Sequence, residues 1–95
     1  MDVVAIVKIS AKEGKSLDAL KVIKKSQEHC LSLDFCGGFD IFQCQKNVHL
    51  FQFVERWTSV EKHKAFLASL MNDPSFIESL DVFTSGPSIE YYTVK

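Results

Sequence analysis

At 95 residues the chain is read as a single domain, 1–95, near the lower limit for a self-sufficient core, and its 46% apolar content is that of a globular protein. A net charge of −1 with acids and bases interspersed leaves no basic stripe, which argues against a nucleic-acid partner. The longest apolar run is far short of the roughly 18 to 20 residues of a membrane span, and Asp2 and Lys8 spoil the start as a secretory leader, so the expected location is cytoplasmic, away from any membrane.

Val3 to Ser10 reads as the first strand, with Val3, Ala5, Val7 and Ile9 on one parity and Val4 and Ile6 on the other. A polar connection containing Gly14 leads to Ser16 as the expected N-cap, and Leu17, Leu20, Ile23, Gln27, Cys30 and Leu31 recur at helical spacing to about Ser32. Cys36-Gly37-Gly38 breaks the chain before a second strand, Phe39 to Cys44. A tight hairpin follows with Lys46-Asn47 at its tip, where Asn47 is expected to tolerate a left-handed conformation. The third strand, Leu50 to Trp57, is again apolar on both parities, with Phe51 and Phe53 alternating with Leu50 and Val54.

Thr58 and Glu61 form the pattern of a capping box, opening a helix whose apolar row is Val60, Lys64, Leu67 and Met71, with His63, Phe66 and Leu70 beside it. Asn72-Asp73-Pro74 ends that helix and starts a short third one, with Asp73 as cap and Pro74 at the first helical position. Gly86-Pro87 turns the chain into the last strand, Ile89 to Val94. The order β-α-β-β-α-β is that of an α+β, ferredoxin-like fold with an antiparallel sheet. Its helices cover one sheet face. The other, apolar by the same alternation, is expected to be covered by a second copy of the chain, giving a homodimer with an interface within or above about 1,200 to 2,000 Å².

The stretch Phe51-Gln52-Phe53-Val54-Glu55-Arg56-Trp57-Thr58-Ser59-Val60-Glu61-Lys62-His63-Lys64-Ala65-Phe66-Leu67-Ala68-Ser69, together with Lys12-Glu13-Gly14-Lys15 before the first helix, resembles the antibiotic biosynthesis monooxygenase (ABM) domains. Their fold is a dimeric α/β barrel. The resemblance implies one of several activities: oxidation of quinols or polycyclic phenols by molecular oxygen without metal, flavin or other cofactor, haem degradation, or processing of small signalling molecules. Haem degraders carry an asparagine in the first strand, and Val3 to Ile9 has none, which disfavours that branch. The family histidine falls near Phe66 and Leu67, about one turn beyond His63.

Removing a proton from an electron-rich phenol in a dry cavity requires a base and a ring-binding wall. His63, on or beside the inward stripe, is the expected base; the alternative is a boundary histidine held by a local hydrogen bond. Trp57 is either a wall of the same cavity or a core anchor with a satisfied indole N–H. Glu55 shares its strand parity with Trp57, and either orients the base or pairs with a cation. Tyr91 and Tyr92 point to opposite faces, and His29 and His49 are expected on the surface. No metal site is expected: Cys30, Cys36 and Cys44 are odd in number, lack zinc-ligand spacing, and read as reduced thiols. The leading expectation is a monooxygenase acting on an aromatic small molecule without a cofactor; the alternative is a non-catalytic binding or dimerisation module of the same fold.

Overall fold

The structure is a computed structural model describing residues 2–95. Its elements are β1 (Val3–Ser10), α1 (Ser16–Leu31), β2 (Cys36–Gln43), β3 (Leu50–Trp57), α2 (Val60–Met71), α3 (Pro74–Ser79), a 3-10 turn over Leu80–Val82, and β4 (Ser88–Thr93). The sheet runs in the order β2-β3-β1-β4 with every neighbouring pair antiparallel. β3 therefore lies between β1 and β2, which is the split β-α-β arrangement of a ferredoxin-like fold.

The molecule measures 37 × 31 × 19 Å, and the short axis is what one sheet and one layer of helices require. Register decides which residues meet the helices. Val3, Ala5, Val7 and Ile9 stand opposite Trp57, Glu55, Phe53 and Phe51, and the last three of β1 and all four of β3 are buried. Phe39 joins them from β2, opposite Glu55.

The other face is less uniformly apolar than the alternation implied. Val4, Ile6, Leu50 and Val54 are half-buried there, and Phe42 and Tyr92 are each 54% exposed. By register Lys8, Arg56, Asp40 and Glu90 share that side, so an apolar centre is ringed by charges of both signs.

Several local expectations are corrected. Ser16 is the first helical residue, Lys15 occupies the cap position with no side-chain bond, and Gly14, at φ +77°, makes the turn before it. Thr58 remains tied to the sheet by donating its N–H to Phe35; Ser59, with an extended backbone, caps α2 by accepting from the Lys62 N–H at 3.2 Å. Asp73 and Pro74 open α3 as expected, with the Asp73 carboxylate accepting from the Ser75 N–H. No residue of the β2–β3 connection has a positive φ. Asn47 acts instead through its side chain, accepting from the His49 N–H at 3.1 Å.

β2 begins at Cys36 rather than Phe39, because an irregularity between Cys36 and Gly38 absorbs the two glycines into the strand. The reading of the cysteines as three thiols is overturned for two of them. The end of α1 and the start of β2 bring Cys30 and Cys36 to a Cα separation of 6.0 Å, and they form a disulfide, leaving Cys44 free. The cysteines therefore lend no support to a reducing compartment. No helix among the described residues is long and apolar enough to cross a membrane.

Candidate functional site

The buried face of α2 is set by His63 and Phe66, with Leu67 and Leu70 half-buried, while Met71 is 51% exposed. The helix is rotated relative to the row Val60–Lys64–Leu67–Met71, so His63 is not a boundary residue. It is fully buried against the sheet, within reach of Glu55 from β3 and Tyr91 from β4.

Four polar side chains converge there. Glu55 and Trp57 are two residues apart on one strand face, and the Trp57 indole N–H donates to Glu55 Oε1 at 3.0 Å. His63 Nε2 lies 3.4 Å from the same oxygen without the alignment of a hydrogen bond, and Nδ1 is 2.7 Å from the Tyr91 hydroxyl. Room for this gathering comes from Ala5, the cross-strand neighbour of both Glu55 and Tyr91. A methyl group between two long side chains lets them lean over it toward α2.

Where Glu55 is ionised it only accepts, and a neutral His63 ring then carries its hydrogen on the nitrogen facing the carboxylate, which leaves Nδ1 to accept from the Tyr91 O–H. Burial, and then the negative charge of Glu55, push the Tyr91 hydroxyl pKa above its usual 10.0. Aromatic neighbours pin the assembly: Phe66 and Phe35 pack on Trp57 at 5.2 and 6.1 Å between ring centroids, and Tyr91 meets His63 edge-on at 5.4 Å.

A cavity of about 260 Å³ opens between the sheet and the helices. Its walls include Val7, Phe53, Phe66, Leu67 and Phe83, and its only polar side chains are Glu55 and Ser26. Of the three candidate site residues Glu55 alone lines it, whereas His63 and Trp57 were the ones expected at its wall. His63 and Trp57 stand behind Glu55, fully buried, with the Trp57 N–H donating to its carboxylate and the His63 ring beside it. Among the described residues no group of three or more His, Cys, Asp or Glu side chains is placed to hold a metal ion.

Tyr91 joins the group and Tyr92 does not, a choice that strand alternation left open. His29 is exposed as expected, yet its ring stacks on Phe66 at 5.5 Å. His49 is half-buried at the base of the β2–β3 connection.

The sequence model of antibiotic biosynthesis monooxygenases matches residues 2–76. The chain belongs to the ABM family. Solved structures share the fold at low identity. A Nitrosomonas europaea protein provisionally named an antibiotic biosynthesis monooxygenase superposes with a TM-score of 0.79 at 16% identity, covering 98% of this chain and 89% of that one. A conserved Methanosarcina mazei protein gives 0.78 at 16% identity over 100% and 94% of the two chains. A Pseudomonas aeruginosa protein gives 0.76 at 18% identity over 99% and 94%. No curated protein matches this ABM chain in sequence.

Proposed function

We propose that this ABM domain is a monooxygenase of electron-rich hydroxyarenes, with Glu55 as the base that meets the substrate. One observation carries the reading: a single carboxylate, held by the Trp57 N–H with His63 beside it, faces a cavity whose one other polar lining residue among those described is Ser26. This revises the expectation that His63 is itself the base. His63 has no open side toward the cavity, and its part is to position Glu55 while its other nitrogen is held by the Tyr91 hydroxyl.

In this scheme Glu55 takes the phenolic proton. The aryloxide gives one electron to dioxygen, and the resulting radical pair joins at a ring carbon bearing hydrogen to form a peroxide. Protonation of the peroxide and loss of water, with the ring C–H proton leaving, yields the quinone. Overall, phenol plus O₂ gives quinone plus water: the arene loses four electrons, dioxygen gains four, and the Glu55 proton is returned. Apolar walls favour the step by excluding water from the reacting anion.

The same reading places a second copy of the chain over the open sheet face, where Val4, Ile6, Leu50 and Val54 form the apolar centre. Lys8 and Arg56 with Asp40 and Glu90 offer charges that a two-fold axis could pair.

Oxygen uptake over a panel of hydroquinones, naphthols and anthrones tests the chemistry. A general base contributes about 10²- to 10⁴-fold, so Glu55→Gln is expected to lower kcat by at least about 100-fold. An unchanged kcat removes Glu55 from the mechanism. A second reading, binding without turnover, draws on the full burial of His63 and Trp57, which equally describes a structural polar cluster. It prevails if ligands bind and no oxygen is consumed.

A further inference from the structure

A second concavity, of about 570 Å³, lies between α1 and the corner where α2 meets α3. Its α1 bank carries Lys21, Lys25 and His29, which the four-residue spacing sets in one row along the helix. The opposite bank presents the hydroxyls of Ser69, Ser75 and Ser79, whose protons are already donated to Phe66 O, Asp73 Oδ1 and Phe76 O. Asp73 is the one acid of the groove, and its carboxylate accepts from both the N–H and the hydroxyl of Ser75. The lysine–carboxylate pairs among the described residues are Lys12–Asp81 and Lys15–Asp18, so neither Lys21 nor Lys25 has a carboxylate within 4.0 Å. A chain of net charge −1 thus concentrates two uncommitted cations and a histidine in one groove.

The groove adjoins the apolar cavity, for Val22, Ser26, Leu70 and Phe76 line both. Each of Lys21 and Lys25 is followed by a residue of that shared wall, so α1 passes from cation to cavity lining in one step. Beyond it, His29 stacks on Phe66, which walls the cavity and packs on Trp57.

We infer that the ligand of this site is an aromatic carboxylate, its ring system in the cavity and its anionic group on Lys21, Lys25 and His29. This rests on the preceding reading of the cavity as an aromatic site and adds a charge requirement to it. A space of about 150 Å³ admits benzene, so the cavity has room for about one fused bicyclic ring. The groove supplies donors and little competing acid for the carboxylate.

Isothermal titration of the full chain with 6-hydroxy-2-naphthoate and with 2-naphthol, at low and high salt, is the test. The naphthoate is expected to bind about tenfold more tightly at low salt, the combined worth of two exposed charge pairs, with the advantage shrinking at high salt. Lys21→Gln combined with Lys25→Gln should abolish the preference while leaving 2-naphthol affinity unchanged. Equal affinity for the two probes, or a preference that survives the double substitution, overturns the charge requirement and leaves the aromatic cavity standing. Failure of both probes to bind overturns both readings. A carboxylate preference without oxygen uptake upholds this inference and sinks only the proposed chemistry.

Discussion

Replacing His63 with leucine keeps the bulk inside the core but withdraws both ring nitrogens from their buried neighbours. Glu55 would lose the imidazole beside its carboxylate while keeping the Trp57 indole as donor, and the Tyr91 hydroxyl would lose its 2.7 Å partner. His63 Nε2 is 3.4 Å from that carboxylate, and withdrawing the polar partner of a buried charge costs roughly 3 to 5 kcal/mol. Domains of 95 residues have roughly 5 to 14 kcal/mol of stability in total, so His63→Leu should consume a large part of it. At about 4 to 8 °C per kcal/mol, even the lower figure lowers Tm by about 12 to 24 °C. Glu55→Gln removes the charge that would be stranded and keeps an acceptor for the Trp57 N–H. The double variant should therefore be more stable than the sum of the singles predicts, by about 2 kcal/mol. Urea unfolding of the four proteins, with m-values compared, reads out the coupling. Additivity within about 0.5 kcal/mol would show that the two side chains do not depend on each other, and the account of the site would fail.

Other expectations follow from the same geometry. Tyr91 is held protonated in the fold, so above pH 10.0 the unfolded chain releases this proton first and stability falls as pH rises toward the raised native value; Tyr91→Phe should remove that component in pH-dependent urea melts. Ser59→Ala should cost about 1 kcal/mol by uncapping α2, whereas Thr58→Val should cost little, and a thermal melt showing the reverse would restore Thr58 as the cap. The Cys30–Cys36 link closes a loop six residues apart, worth about 2 kcal/mol by loop entropy; thiol titration of the denatured protein should count one free cysteine, and a count of three would refute the bond. Val54→Glu should convert a sheet-face dimer to monomer in sedimentation velocity, and a wild-type monomer at micromolar concentration would dispose of the second copy.

Short-range pattern made most of the fold legible. Alternation in Val3–Ser10 and Leu50–Trp57, the helical spacing after Ser16, and Asp73-Pro74 each act within a few residues, and so the element order and the ferredoxin-like arrangement were readable from the chain. The caps were misplaced by a single residue, because Thr58 and Ser59 offer the same hydroxyl and only the Thr58 N–H bond to Phe35 decides where the strand stops.

Glu55, Trp57 and His63 were nameable as a group because two share a strand parity and the third follows one turn into the next helix. Which of them lines the cavity was not. That depends on the rotation of α2 about its axis, on Ala5 standing opposite both Glu55 and Tyr91, and on β4 pairing with β1 in a register that turns Tyr91 inward and Tyr92 out. These are relations between segments distant in sequence, settled by how side-chain volumes interlock, and no local periodicity encodes them. The chain's own pattern thus determined the elements and the residues available for chemistry; tertiary packing alone decided that a carboxylate faces the cavity while the histidine stands behind it.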